Sequence, residues 1–236
     1  MAHHRRRRAF HLLITAGPTR EPIDPVRFIS NYSTGTLGYA LARLAKARGH
    51  RVTLVSGPTE LTPPKGVRQV DVVTAGELRQ AVARLFPKMD ALIMGAAVAD
   101  FRPIRTASKK IKRSGAVGSM RLWQLELIEN PDIVAEAARQ RKAGQAIMGF
   151  ALETENMLSN ARAKLKGKGL DAIVATRLSP TRGGSSPFGT APVDGAILDR
   201  QGRAKAFRSM KKDLLAGRIL DTVEQILTHR QPTSRS

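Results

Sequence analysis

The sequence predicts an α/β fold in which helices cover both faces of a mostly parallel, doubly wound sheet. Apolar, β-branched runs alternate with helical segments along the 236-residue chain, and this alternation favours parallel strands joined by crossover helices. Several runs are apolar almost without interruption, as in strands that are covered on both faces. Capping residues mark the starts of two helices. Together these observations predict a Rossmann-like three-layer α/β/α architecture.

The predicted strands are the apolar runs at 12–16, 51–56, 67–73, 91–97, 145–151 and 171–175. Helical periodicity predicts helices at about 36–48, 75–87, 131–142, 155–168 and 211–229. The second helix opens with the capping box Thr74-Ala75-Gly76-Glu77. At the third helix, Asn130-Pro131-Asp132 supplies a cap, a first-turn proline and an N-terminal acid. Two further runs, 193–199 and 204–207, predict a C-terminal hairpin.

Two segments interrupt this pattern. Residues 101–121 contain seven basic residues, two glycines and no acid, which predicts a mobile basic flap. Residues 178–192 have the composition of a loop. We therefore expect one domain over residues 11–229, preceded by a basic disordered arm at 1–10 and followed by a tail at 230–236.

The composition excludes several classes of protein. Hydrophobic residues make up 42% of the chain, enough for one good core. The absence of cysteine excludes disulfides, thiolate nucleophiles and Cys-ligated metals. No apolar stretch approaches the roughly 20 residues that span a bilayer, and no apolar segment follows the N-terminal arginines as in a secretory signal. We expect a cytoplasmic protein without a membrane partner.

The net charge of +21 favours anionic partners. Nucleic acid is disfavoured, because aromatic residues make up only 4% of the chain and are not interleaved with basic ones. Phosphorylated small molecules satisfy the same electrostatics, and the charge alone does not choose between the two.

The first candidate site is the passage from the first strand into the first helix. Asn31, Ser33 and Gly35 precede that helix, and backbone N–H groups at a helix start bind phosphates. Gly35 and Gly38 also resemble a dinucleotide fingerprint, which keeps an NAD(P)-dependent reductase as an alternative. That alternative requires an acid after the second strand, where the chain has Ser56-Gly57-Pro58. Asn31 alone is equally typical of a plain turn.

Two further candidate sites follow later strands. Asp100 follows the apolar run 91–97 and precedes Lys110, so the carboxylate could hold a metal ion and the ammonium could neutralise developing charge. Phe150 ends another strand, and the next helix carries Lys164 and Lys168 four residues apart, on one face that could grip a triphosphate. The alternatives are a solvated basic loop and a solvated helix face.

Five motifs, in order and at consistent spacing, resemble the bacterial phosphopantothenoylcysteine synthetase family, the synthetase half of the bifunctional phosphopantothenoylcysteine decarboxylase/phosphopantothenate–cysteine ligase. They lie at 14–31, 96–103, 110–112, 130–134 and 149–154. The resemblance runs from about residue 11 to 228 and implies a stand-alone synthetase. The flavin-binding decarboxylase half has no counterpart in this sequence, so no flavin is expected.

The resemblance implies a ligase that joins 4′-phosphopantothenate to L-cysteine with CTP, through an acyl-cytidylate, releasing pyrophosphate and CMP. It further implies Mg²⁺, a homodimer and a separate decarboxylase as a partner. Asn31 and Lys110 would be catalytic, and the substrate would be bound by Arg27, Asn31, Ser33 and Gly35. Asp100 would hold Mg²⁺ with the triphosphate. The nucleotide would be bound by Met94, Gly95, Ala96, Asp100, Lys110, Pro131, Asp132, Ile133, Val134, Phe150, Lys164 and Lys168.

The sequence departs from the family at Thr36, where a lysine is usual. That change removes a potential phosphate contact. It adds a further alternative, a catalytically weakened member of the family that binds nucleotide.

Overall fold

The computed structural model describes residues 8–112, 122–178 and 188–230, and these ranges form twelve strands and five α-helices. The strands are β1 (His11–Ala16), β2 (Arg20–Pro22), β3 (Phe28–Ser30), β4 (Arg51–Ser56), β5 (Arg68–Asp71), β6 (Ala91–Met94), β7 (Phe101–Pro103), β8 (Leu127–Glu129), β9 (Ala146–Glu153), β10 (Ala172–Arg177), β11 (Val193–Asp199) and β12 (Ala204–Met210). The helices are α1 (Thr36–Ala47), α2 (Ala75–Leu85), α3 (Ile133–Arg139), α4 (Met157–Gly167) and α5 (Lys212–Arg230), and a short 3-10 helix, Phe86–Lys88, follows α2.

Eight strands form one sheet in the order β12-β11-β10-β9-β6-β1-β4-β5. The pairing is parallel from β5 to β10 and antiparallel where β11 and β12 extend the edge. The predicted mostly parallel, doubly wound sheet and its C-terminal hairpin are therefore confirmed. The chain builds outwards from β1 in both directions, so the topological switch point lies between β1 and its neighbour β6.

Helices cover both faces of this sheet. On one face α1 and α5 pack over Leu12 and Ile14 of β1, and on the other α2, α3 and α4 pack over Leu13. All three side chains are fully buried. Burial on alternate faces explains why the strand sequences are apolar almost without alternation.

Two small sheets have no counterpart in the predicted elements. β2 pairs antiparallel with β3, and β7 pairs antiparallel with β8. Each of these strands has three residues, too few to show a period of two. The prediction that the whole of 101–121 is a mobile flap is therefore wrong at β7. The rest of that prediction, at 113–121, lies outside the described residues, as do the predicted loop at 179–187, the arm at 1–7 and the tail at 231–236.

One predicted helix cap is confirmed and the other is wrong. Thr74 accepts a hydrogen bond from the Glu77 N–H at 3.2 Å and caps α2. At α3 the cap is Asp132, which accepts from the Ala135 N–H at 3.1 Å. Asn130 instead donates its amide to the Ala99 carbonyl at 2.9 Å. The third helix therefore begins at residue 133 rather than 131.

Residues next to both predicted domain boundaries contact the core. Phe10 is buried, and its N–H donates to the His50 ring at 3.2 Å. Arg230 closes α5 and forms an ion pair with the buried carboxylate of Asp171. Both contacts tie the described termini to the core. Among the residues that the structure describes, no helix combines the length and apolarity that crossing a membrane requires.

Candidate functional site

A pocket of about 810 Å³ opens at the carboxyl ends of β6, β9 and β10, beside the topological switch point. Ligands bind at this edge in open α/β sheets. Most of the predicted site residues come together in this pocket. Its lining includes Asn31, Ser33, Met94, Gly95, Ala96, Asp100, Pro131, Asp132, Ile133, Val134, Phe150, Lys164 and Lys168. Three predicted site residues, Arg27, Gly35 and Lys110, lie outside the lining.

One wall of the pocket is the segment 95–100, which leaves the sheet after β6. The Gly95 N–H turns back to the Ile93 carbonyl at 3.0 Å, which ends β6 at Met94 instead of at residue 97 as predicted. The Ala96 N–H donates to the Thr15 hydroxyl at 3.0 Å. These two N–H groups are used within the protein, so hydrogen bonds from this part of the wall to a ligand fall to its carbonyl oxygens.

The far end of the same wall is fixed by two more side chains. Thr19 accepts from the Ala99 N–H at 3.0 Å, and Asn130 donates to the Ala99 carbonyl. The Asn130 N–H donates in turn to the Asp100 carbonyl at 2.7 Å. The sequence reasoning assigned none of these functions to Thr15, Thr19 or Asn130. The signal available in the sequence was a threonine near the end of β1 and a second threonine in the loop that follows it.

A β-carbon at Gly95 would require the neighbouring backbone to shift. Such an atom would lie 2.9 Å from the Thr15 carbonyl oxygen and 3.9 Å from the ring of Phe150. The absence of a side chain lets the wall approach β1 closely and brings the half-buried Phe150 ring against it. Gly95 and the Phe150 ring therefore lie side by side in the pocket lining, and a ring among apolar lining groups is typical of small-molecule sites.

At the opposite side of the pocket, Asn31 and Ser33 lie between β3 and α1. The Asn31 amide donates to the Ala97 carbonyl at 3.1 Å, so its amide oxygen is the atom that can accept from a ligand. Gly35 caps α1 in the left-handed region, with φ of 78°, a conformation that favours glycine. It therefore shapes the turn that carries Ser33 and does not itself line the pocket.

Lys164 and Lys168 both reach the pocket from α4 and its C-cap, and both are held by carboxylates. The Lys164 ammonium lies 2.6 Å from Glu153, and the Lys168 ammonium lies 2.9 Å from Asp132. Burial would raise the pKa of Glu153, but hydrogen bonds from Lys164 and Asn160 outweigh it and hold that pKa below its ordinary value. The pocket thus has two lysine ammonium groups that are paired with carboxylates, and a bound anion could take the place of those carboxylates.

Asp100 is the residue that the sequence predicts to hold a metal ion. It is an exposed carboxylate on the pocket wall. Within residues 8–112, 122–178 and 188–230, no group of three or more His, Cys, Asp or Glu side chains could enclose a metal ion. A single carboxylate fits Mg²⁺ that is bound mainly by phosphate oxygens and water, because Mg²⁺ is usually held in that way.

Arg27 lies outside the pocket, beside the turn between β2 and β3, and reaches the backbone of Ile111, the residue that follows Lys110. Arg27 forms an ion pair with Asp24 and donates to the Ile111 carbonyl at 2.9 Å. The Arg27 guanidinium holds the pKa of Asp24 well below its usual range, against the opposing effect of desolvation and with help from backbone N–H groups. Asp24 was not predicted as a site residue, although it precedes Arg27 by only three positions.

The chain matches the family model described as the DNA/pantothenate metabolism flavoprotein C-terminal domain over residues 8–227. It is 44% identical over 226 residues to the coenzyme A biosynthesis bifunctional protein CoaBC of Mycobacterium tuberculosis, covering 92% of this chain and 52% of that protein. The CoaBC of Escherichia coli K12 is 41% identical over 214 residues, covering 90% of this chain and 51% of that protein. A crystal structure of the C-terminal domain of CoaBC superposes with a TM-score of 0.77 at 33% identity, covering 95% of this chain and 98% of that one. The chain thus spans about half the length of these curated relatives.

Proposed function

The chain belongs to the family of DNA/pantothenate metabolism flavoprotein C-terminal domains, and from that premise we propose that it is a phosphopantothenate–cysteine ligase that uses CTP. One observation carries the proposal. A single pocket at the sheet edge holds Gly95 beside the Phe150 ring, the amide of Asn31, and two lysines on α4. These are the groups that a nucleotide and a small polar acid require.

In the first half-reaction, the carboxylate of 4′-phosphopantothenate attacks the α-phosphate of CTP. A P–O bond forms, the bond to the β-phosphate breaks, and pyrophosphate leaves. Negative charge accumulates on the phosphorus oxygens, where Lys164, Lys168 and Lys110 supply positive charge. Lys164 and Lys168 would exchange their carboxylate partners for phosphate oxygens as the nucleotide binds.

In the second half-reaction, the amine of cysteine attacks the acyl carbon of the acyl-cytidylate. A C–N bond forms, CMP leaves and the amine loses a proton. Asn31 accepts a hydrogen bond from the pantothenoyl part through its amide oxygen and orients the acyl group. Enclosure of the intermediate in the pocket limits its hydrolysis by water.

Base choice follows from the pocket wall. Because the Gly95 and Ala96 N–H groups are already used, the carbonyl oxygens of Met94, Gly95 and Ala96 accept from the base. Cytosine presents an amino group, whereas uracil presents a carbonyl oxygen at the same position. The wall therefore favours CTP over UTP. Adenine also has an amino group, so the choice between CTP and ATP depends on the shape of the pocket.

Bound Mg²⁺ would neutralise negative charge on the triphosphate. Asp100 is the residue of this chain that would hold it, together with phosphate oxygens. No flavin is part of the proposal.

We also propose that the protein is a homodimer, with the two small sheets at the interface. Phe28 of β3, Phe101 of β7 and Leu127 and Ile128 of β8 are exposed large apolar residues, and β2 contacts β7. Several exposed large apolar residues on neighbouring small sheets are typical of an interaction surface. Sedimentation velocity of the wild type and of Phe101→Glu tests this: the variant should sediment as a monomer, and a wild-type monomer at micromolar concentration would refute it.

Because its substrate CTP is an intracellular metabolite, we place the protein in the cytoplasm. A separate decarboxylase would then consume the phosphopantothenoylcysteine that this chain makes, and co-purification of the two would test whether they form a complex.

The experiment that tests the function is pyrophosphate release with 4′-phosphopantothenate, L-cysteine and Mg²⁺, comparing CTP, UTP and ATP. Release that requires phosphopantothenate and CTP supports the ligase. Omitting cysteine separates the first half-reaction from the second. If CTP binds but no nucleotide gives pyrophosphate release, the result would instead favour a catalytically weakened member of the family. Thr36, where the family usually has a lysine, would then be the first residue to examine as the cause. Thr36 begins α1 and pairs with the Thr34 hydroxyl at 2.8 Å.

The reductase alternative is not favoured. β4 ends at Ser56 and is followed directly by Gly57 and Pro58, so no acid stands at the strand end to bind a ribose. A β-carbon at Gly57 would lie 1.9 Å from the Pro18 carbonyl oxygen, so the chain after β4 is packed against the chain after β1. That contact occupies the position at which an acidic side chain would be needed.

A further inference from the structure

The turn between β2 and β3 is built around the buried carboxylate of Asp24. Its Oδ1 accepts from the N–H groups of Val26 and Arg27, each at 2.8 Å. Its Oδ2 accepts from the Arg27 Nε and from the Ile111 N–H, each at 3.1 Å. The side chain has no solvent exposure. One oxygen therefore serves the turn itself, and the other reaches a segment 87 residues further along the chain.

That distant segment is attached to the turn along its length. The Thr106 hydroxyl donates to the Pro22 carbonyl at 3.1 Å, and the Ala107 N–H donates to the Ile23 carbonyl at 2.9 Å. At Ile111 both backbone groups are held, the N–H by Asp24 and the carbonyl by Arg27. We call the three residues Asp24, Arg27 and Ile111 the clamp.

Ile111 lies directly between two lysines, Lys110 and Lys112. A lysine side chain has four rotatable bonds, so its ammonium can be placed reproducibly only if the backbone that carries it is fixed. The clamp fixes the peptide groups on both sides of Ile111. Exposed polar contacts hold the preceding residues, whereas the clamp uses a buried carboxylate.

We propose that Asp24 is a positioning residue for Lys110, acting through the backbone of Ile111. The inference rests on the proposed ligase function, in which Lys110 stabilises charge in the reaction. Arg27 belongs to the same device, because its guanidinium is oriented by Asp24 and closes the clamp from the other side. Arg27 then contributes to the reaction by holding the lysine segment as well as by any contact with substrate.

Asp24→Asn separates the two functions of the carboxylate. The amide oxygen of asparagine can still accept from Val26 and Arg27 and preserve the turn. Its NH₂ group, however, would face the Ile111 N–H and the Arg27 guanidinium, which are also donors, so the clamp is lost. Asp213→Asn is the matched control. Asp213 lies on α5, and its exposed carboxylate forms an ion pair with Arg43 of α1.

The first readout is limited trypsin digestion, with cleavage after Lys109, Lys110 and Lys112 followed by mass spectrometry. Because the clamp restrains this backbone, we expect Asp24→Asn to be cleaved there at least about tenfold faster than wild type. Arg27→Gln should give an intermediate rate, since it removes the carbonyl contact but keeps the Asp24–Ile111 bond. Asp213→Asn should match wild type. Equal cleavage rates for Asp24→Asn and wild type would overturn the clamp.

The second readout is steady-state pyrophosphate release. We expect Asp24→Asn to lower kcat by about tenfold to a hundredfold, as for a misplaced catalytic group, with the KM for CTP within about twofold. In a Lys110→Gln background, Asp24→Asn should cost little more, because the group that it positions is already gone. Fully additive losses would mean general damage and refute the positioning role. Wild-type protein without any CTP-dependent release would contradict the ligase instead, and the trypsin comparison would still decide the clamp.

Discussion

Lys164 and Lys168 occupy equivalent positions on one helix face, yet their partners make them unequal. Glu153, the partner of Lys164, has a side chain that is 11% exposed, whereas Asp132, the partner of Lys168, is 44% exposed. Replacing each lysine with glutamine therefore has the same expected effect on nucleotide binding and different effects on stability. This contrast tests the pocket chemistry and the packing together.

The binding effect is the loss of one charge-assisted hydrogen bond to the triphosphate. Such a bond contributes about 1.5–3 kcal/mol, so either variant should raise the KM for CTP by roughly 10- to 150-fold. The stability effects differ because Lys164→Gln leaves a largely buried carboxylate with the Asn160 amide as its remaining side-chain donor, at a cost of about 1–3 kcal/mol. Lys168→Gln removes an exposed ion pair, worth about 0–1 kcal/mol, and Asp132 still caps α3.

Thermal unfolding and pyrophosphate release measure the two effects separately. At about 2–4 °C per kcal/mol for a domain of this size, Lys164→Gln should lower Tm by about 2–12 °C and Lys168→Gln by less than about 4 °C. Lys166→Gln is the control, because Lys166 is exposed on the same helix and does not line the pocket. An unchanged KM for CTP in both variants would refute the phosphate-binding assignment. Equal Tm losses would refute the argument from partner burial.

Three other outcomes follow from the structure. Gly95→Ala places a β-carbon 2.9 Å from the Thr15 carbonyl oxygen, so it should lower the free energy of urea unfolding by about 1–3 kcal/mol and raise the KM for CTP. Gly76→Ala is the control, because its β-carbon meets only an ordinary contact, and it should change neither quantity. Asp100→Asn should raise the Mg²⁺ concentration needed for half-maximal rate without changing Tm; an identical Mg²⁺ dependence would remove Asp100 from the metal site. Burial would raise the pKa of Glu224, but hydrogen bonds from Arg48 and His50 hold it below its ordinary 4.5. Its stabilisation is therefore present above about pH 4.5 and lost as the pH falls, and Glu224→Gln should flatten the urea stability profile below that pH.

The fold was predictable because burial on both faces leaves a strong mark in the sequence. β1 and β4 are apolar along most of their length, and each was predicted to within a residue. The three-residue strands β2, β3, β7 and β8 were not predictable from local pattern. They depend on pairing between segments that are distant from the main sheet, and β2 even contains a proline. Local propensity carries little information about such pairs.

The pocket residues were predictable from the motifs, but their partners were not. Lys164 and Lys168 were expected on one face because they are four residues apart, and they do share the pocket. Nothing local to α4 indicates that Glu153 and Asp132, from β9 and the α3 cap, would hold them. Asp24 was missed for the same reason, since its bond to Ile111 spans 87 residues.

The site combines parts that are fixed to different degrees, and this division has a chemical reason. The wall at 95–100 is hydrogen-bonded to the side chains of Thr15, Thr19 and Asn130, so the carbonyl oxygens that we propose as acceptors for the base are held in place by the protein itself. Lys164 and Lys168 are held by carboxylates that a triphosphate can displace, so their ammonium groups remain paired in the empty pocket and do not simply repel each other. The backbone next to Lys110 is held by the clamp. In the proposed ligase, base recognition therefore uses rigid backbone and charge neutralisation uses exchangeable ion pairs, while the placement of Lys110 depends on the buried carboxylate of Asp24.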